Sequence, residues 1–216
     1  MTHKILRRTM LAGALAAALA SPASAADDRT VEAKKAFPFL DAYYRIAPAE
    51  RSRFRVGYLI SNDKAAPDMV LVHEGRRTPI PLGRDGKAMR LPTAQELATG
   101  QIETSAAAAA GKTKVSMFVE PAVTPASEID AAAISAAISQ AAVSVKKAAP
   151  LVLRMAIPKF DQASFRGVAS GEVIYGDGRR AALPMPNGRP VFEPAKHPGA
   201  KTLRFPSAPY LIVLGS

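Results

Sequence analysis

The sequence predicts an α+β fold rich in β-structure, an internal duplication in which each unit is a helix followed by an antiparallel meander. The two units are expected to pack as a sandwich with pseudo-twofold symmetry; a single closed barrel is the alternative. Three observations carry this. A hairpin-rich stretch occurs twice, short apolar runs flank both copies in the same order, and a helical stretch precedes each.

The repeat is explicit. Residues 74–92 read EGRRTPIPLGRDGKAMRLP and residues 177–194 read DGRRAALPMPNGRPVFEP. An acidic residue, Gly and Arg-Arg open both, Pro81 matches Pro184, and Asp85-Gly86 matches Asn187-Gly188. Upstream lie Met69–Val72 and Glu172–Tyr175; downstream lie Gln101–Thr104 and Lys201–Phe205, then Val115–Val119 and Tyr210–Leu214. Further upstream, Phe54–Ile60 is matched with Leu151–Ile157.

Glu74-Gly75 and Asp177-Gly178 are expected hairpin turns, because glycine and its Asn or Asp neighbours tolerate the positive φ of tight primed turns. Asp85-Gly86 and Asn187-Gly188 supply the next turn. Pro79, Pro81, Pro184 and Pro186 remove backbone donors, so the middle segment of each unit is expected to be bulged or incompletely paired.

The second helix is expected from Thr124-Pro125, with Pro at the first helical position, to about Ala148. Ile134, Ile138, Ala141 and Val145 form its apolar stripe, and Pro150 stops it. The first helix is shorter, with Pro38 at its start and Phe39, Leu40, Tyr43 and Ile46 turned inward. The run from Ala106 to Ala110 is low-complexity and expected to be a loop or a short helical turn.

Residues 1–25 have the layout of a cleavable export signal. Lys4, Arg7 and Arg8 precede an apolar run from Met10 to Ala20, and Ala23-Ser24-Ala25 supplies a small-residue cleavage site. The apolar run is shorter than the roughly 20 residues a spanning helix needs, so no transmembrane anchor is expected after cleavage. Arg7-Arg8-Thr9-Met10-Leu11 resembles a twin-arginine signal, with Leu6 where Ser or Thr is usual and Met10 where Phe is usual. The sequence leaves the route open. The units then span 26–120 and 121–216, and a periplasmic or secreted location is expected.

The chain carries 29 Lys+Arg against 18 Asp+Glu. Three of the cations precede residue 25, so the remainder is at +8. That balance favours anionic surfaces of the envelope, and export argues against nucleic acid as a partner. There is no cysteine, which removes disulfides, thiolate catalysis and cysteine-bound metals, and the fold must stand on its apolar core.

No catalytic constellation is legible. Serine-type chemistry needs a base; beyond residue 25 the histidines are His73, at a strand end, and His197, in a loop. Both are expected to be surface residues. No Gly-x-Ser-x-Gly elbow occurs, and two isolated histidines fall short of a zinc site. No metal or other cofactor is expected. Glu172, Asp177 and Glu193 could gather at one end of the second unit as ligands, but acidic residues in turns are ordinarily capping groups. The paired carboxylates of a hydrolase would have to face each other across a cleft, which a sequence does not show. Tyr43 and Tyr44 raise a sugar-stacking platform, with Tyr43 assigned to the core and Tyr44 the freer ring.

The candidate ligand-binding residues are Arg76, Arg77, Arg179 and Arg180. They take equivalent places just past the hairpin turns and can hold a carboxylate or phosphate bidentately. Their competing use is to blunt sheet edges against aggregation.

The Ala-rich signal, the segment from Phe39 to Phe54 and the Gly-Arg-Arg hairpins resemble a family of exported, periplasmic proteobacterial proteins to which no activity attaches. The resemblance implies an envelope location and nothing about chemistry. The expected role is a non-enzymatic one, binding an envelope component or a protein partner. The alternatives are a carboxylate-dependent hydrolase of envelope polymer and a small-ligand carrier.

Overall fold

The computed structural model describes residues 29–105, 108, 110–148 and 159–215. These form an α+β, β-rich fold of thirteen strands and four helices, with the strands in three antiparallel sheets. The expected signal at 1–25 lies outside the described residues, as do Leu151–Ile157 and most of the alanine run at 106–110.

The first sheet holds β1 (Arg29–Glu32), β5 (Gln101–Thr104), β3 (Met69–His73) and β4 (Arg76–Ile80), in that order across the sheet. The second holds β7 (Glu128–Asp130), β12 (Ala200–Arg204), β9 (Glu172–Tyr175) and β10 (Arg180–Ala182). The two orders correspond strand for strand. Neither is a simple meander, because the strand after the hairpin crosses to the far side of the hairpin's first strand.

The third sheet joins the halves. Its order is β11 (Val191–Phe192), β8 (Ala163–Arg166), β13 (Leu211–Leu214), β6 (Thr113–Pro121) and β2 (Phe54–Asn62). Leu214 pairs with Val119 at the junction. The place beside β13 that matches β2 beside β6 is held by β8, residues 163–166; the expected counterpart, 151–157, lies outside the described residues.

Why each half-sheet sticks together is plain from its central row. Val31, Ile102 and Leu71 lie side by side in the first sheet, and Ile129, Leu203 and Val173 in the second. Ile102, Val173 and Leu203 are fully buried, each worth about 2 kcal/mol by removal from water. One continuous cluster of buried side chains runs from Ala33 to Leu214 and draws on both halves. The expected two-layer sandwich is thus replaced by three sheets around a shared core.

Helix α4 (Ala131–Ala148) packs one face onto that core, touching β12, β7, β2 and β6 and the short helix α2 (Leu40–Arg45). Its buried face is Ala131, Ile134, Ala137, Ile138, Ala141 and Ser144; the alanines let the sheets approach closely. Its start is at Ala131, not at Pro125. Glu128–Asp130 pair with Arg204–Thr202 as a strand first, and the Asp130 carboxylate then caps the helix by accepting the Ala132 N–H at 2.9 Å.

The first half breaks its helix in two. α1 (Ala33–Ala36) ends at Phe37, and α2 begins after Phe39, which sits at φ 68°. Pro38 therefore separates two helices instead of opening one, because it brings no N–H and restricts the residue before it. The break lets Tyr58 reach in: its ring meets Phe37 edge-on at 5.1 Å, and its hydroxyl donates to the Pro38 carbonyl at 2.7 Å. Burial pushes the Tyr58 hydroxyl far above the usual phenol range.

A further helix, α3 (Ala94–Thr99), was not anticipated. Thr93 and Glu96 form a reciprocal capping box at its start. Pro79 does not bulge its strand as expected: it pairs with Val70 in unbroken register in β4, an outermost strand where a missing donor is tolerated, while Pro81, Pro184 and Pro186 lie beyond the strand ends. Among the described residues no helix is long and apolar enough to cross a membrane.

Candidate functional site

In an antiparallel pair, residues that follow each other face opposite sides of the sheet. The second sheet buries Val173, Leu203 and Ile129, so Glu172, Arg204 and Glu128 line up on the outer side. Arg180 joins them from β10. The row alternates in charge: Arg204 Nε lies 2.8 Å from Glu128, Arg204 Nη1 lies 3.7 Å from Glu172, and Arg180 Nη1 lies 3.4 Å from Glu172.

At one end of this row a groove of about 440 Å³ opens, lined by Gly171, Glu172, Arg180, Ala182, Arg204 and Phe205 among others. Its floor is set by close packing. A Cβ on Gly171 would come within 2.7 Å of the Phe205 ring and 2.9 Å of Leu183, so glycine is required for strand and ring to meet. Phe205 is itself anchored on Phe165, with ring centroids 4.5 Å apart. Among the described residues the groove therefore offers two guanidinium groups and one carboxylate, over a floor backed by the buried Phe205 ring.

The four arginines marked by the sequence do not form one site. Arg77 and Arg180 hold equivalent places, each on the outer hairpin strand and one residue before the residue opposite the buried centre of the sheet. Arg77 is tied to Glu103 across the first sheet at 2.6 Å. Arg180 reaches its carboxylate only at 3.4 Å and lines the groove. Arg179 is held by Asp177, with Nε at 2.6 Å, and lies over the Tyr175 ring at 4.9 Å. That arginine pulls the Asp177 carboxyl below its usual range. Arg76 is exposed, opposite His73.

The carboxylates are also dispersed. Glu172 faces the two groove arginines, Asp177 serves Arg179, and Glu193 pairs with Lys196 at 2.8 Å. Among the described residues no three His, Cys, Asp or Glu side chains gather as a metal would require.

Both histidines are more enclosed than their positions suggested. His73 is 13 % exposed and its Nε2 lies 3.0 Å from Thr99 Oγ1. His197 stacks on Phe192 at 5.8 Å and shares a 2.9 Å hydrogen bond between its Nδ1 and the Tyr175 hydroxyl. The tyrosine platform is closed as well. Tyr44 donates its hydroxyl to Pro92 at 2.6 Å, Tyr43 donates to Phe54 at 3.4 Å, and Arg51 covers both rings at 5.7 and 4.7 Å.

Sequence reasoning missed Arg204. Its signal was the alternation in Lys201-Thr-Leu-Arg-Phe205, which places Thr202 and Arg204 on one face and Leu203 and Phe205 on the other. What could not be read was the register that sets Arg204 opposite Glu172. No family model, curated protein or solved structure matches the chain.

Proposed function

We propose that this is an exported, non-enzymatic protein of the periplasm that works by holding an acidic partner on the outer face of its second sheet. The observation that carries this reading is the groove, where Arg180 and Arg204 meet a single shared carboxylate at 3.4 and 3.7 Å. Each guanidinium has five N–H donors in a planar fork, so both keep donors for a ligand carboxylate or phosphate. The excess of cations and the signal-like residues 1–25 support an envelope setting. Hydrolysis by paired carboxylates finds less support, since among the described residues Glu172 is the one carboxylate lining the groove.

The test is co-sedimentation or bead recovery of residues 26–216 with peptidoglycan sacculi, lipopolysaccharide and poly-L-glutamate, at low salt and at about 0.5 M, where screening shortens the Debye length to a few ångströms. Binding to at least one is expected, with recovery reduced about tenfold in an Arg180→Ala/Arg204→Ala variant and little changed in Arg76→Ala/Arg179→Ala. Recovery with none of the three, or equal loss in both variants, overturns the reading. Release of soluble fragments from sacculi would move the protein to the hydrolases.

A further inference from the structure

We infer that the partner is seated as an added β-strand: the outer edge of β10 receives an extended acidic peptide from another protein. This rests on the reading of Arg180 and Arg204 as a binding face and adds the backbone to it.

The edge can be read residue by residue. Tyr175 donates its N–H to Arg179 at 2.9 Å, and Leu183 donates to Gly171 at 2.8 Å. With Ala181 paired to Val173 between them, these residues are the hydrogen-bonded pairs of the ribbon. Bonded and non-bonded pairs alternate in an antiparallel ladder. Arg180 and Ala182 therefore turn their N–H and C=O groups away from β9, and among the described residues β10 is the last strand of its sheet.

The first sheet shows the same edge closed. The two-residue turn Glu74-Gly75 makes His73 and Arg76 a bonded pair, so Arg77 and Pro79 face outward on β4. Pro79 stands opposite Val70 as Ala182 stands opposite Glu172. Where β10 presents an N–H, β4 presents a proline, a standard block against strand addition. Arg77 is also held at 2.6 Å by Glu103, whereas Arg180 is loosely held.

Charge selects the occupant. The outer row Glu128, Arg204, Glu172 alternates in sign and reaches the edge at Ala182, where Arg180, diagonal to Glu172 on the same face, lies 3.4 Å from that carboxylate. An acidic residue opposite Arg180 continues the alternation, and opposite charges across strands are favourable. A second copy of this chain pairing through β10 would bring Arg179 and Arg180 from both strands onto one short ribbon, where like charges repel.

The probe is a capped eight-residue peptide of alternating Glu and Val, titrated by fluorescence anisotropy, with amide hydrogen exchange followed at Arg180 and Ala182. Binding that slows exchange at both amides is expected. Ala182→Pro should weaken binding about tenfold, the equivalent of one lost hydrogen bond with a charged neighbour, while a lysine-for-glutamate peptide should not bind. The same peptide N-methylated at alternate residues tests the backbone contact without altering the protein, so a misfolded Ala182→Pro does not decide the matter. Equal affinity of the methylated peptide overturns strand addition and leaves the arginine face standing. Poly-L-glutamate or lipopolysaccharide bound with the alternating peptide unbound also overturns it. Failure of every anionic probe removes the underlying function instead.

Discussion

The first and second sheets have the same strand order and the same buried centre, yet opposite outer faces. Inward, Leu71–Ile102–Val31 matches Val173–Leu203–Ile129. Outward, the row Pro79–Val70–Glu103–Thr30 stands where the second sheet has Ala182–Glu172–Arg204–Glu128. Packing fixes the first set, because any change there opens a cavity or forces a clash. The second set touches solvent and is free to differ, and there one sheet is sealed by proline while the other carries a charged groove. Shared architecture and divergent surface are written on opposite sides of the same strands.

The comparison breaks most visibly at the buried rows. Ile102→Ala and Leu203→Ala should each cost about 2–5 kcal/mol, the usual price of truncating a fully buried aliphatic side chain. Because one apolar cluster joins both halves, each variant should still unfold in a single transition by circular dichroism in urea, with its midpoint lowered. Two transitions, with only one moved by each variant, would mean two independent cores.

This division also explains what was legible in the sequence. The hairpins Glu74-Gly75 and Asp177-Gly178 and the apolar runs beside them are local patterns, and the strands formed there. So did the long helix through Ile134, Ile138 and Ala141, although its start was misplaced at Thr124-Pro125: Glu128–Asp130 continue a helical reading until β12 offers them a partner. Strands β1 and β7 are only four and three residues long, and what makes them strands is pairing with β5 and β12, from far along the chain. The groove was half legible for the same reason. Arg180 stood out beside its turn, but Arg204 gains meaning only through a register no local pattern encodes.

A finer contrast lies in the two equivalent turns. Asp85-Gly86 and Asn187-Gly188 share nearly the same left-handed geometry, with Gly86 at φ 76° and Gly188 at φ 70°. Their surroundings differ. A Cβ on Gly86 would fall 2.0 Å from the Ile60 carbonyl oxygen, whereas one on Gly188 meets nothing within 4 Å. Gly188→Ala should then cost about 1 kcal/mol, the conformational penalty alone. Gly86→Ala adds a backbone clash and should cost about 3 kcal/mol in total. Equal losses on thermal denaturation would show that the Asp85-Gly86 turn is not pressed against β2.

The smallest difference expected is one of pH, at the turn of chain that follows these loops. In the first half Thr93 and Glu96 cap α3, while the matching Pro194–Lys196 turn in the second half has no side-chain cap. Burial alone would raise the Glu96 carboxyl. The hydrogen bonds from the Thr93 backbone and from Arg90, with the Arg90 charge, outweigh it and hold the group below the ordinary glutamate range. A carboxyl depressed in the folded state stabilises fully above its unfolded value of about 4.3. That contribution disappears as pH falls through the lower folded value. Wild-type stability should therefore drop more steeply below about pH 4.3 than that of Glu96→Gln, which keeps a capping acceptor but no titrating charge. Thr93→Ala should cost about 1 kcal/mol at neutral pH by urea denaturation. If Glu96→Gln follows the same acid slope as wild type, the depression of Glu96 is not coupled to folding, and the capping box acts through Thr93 alone.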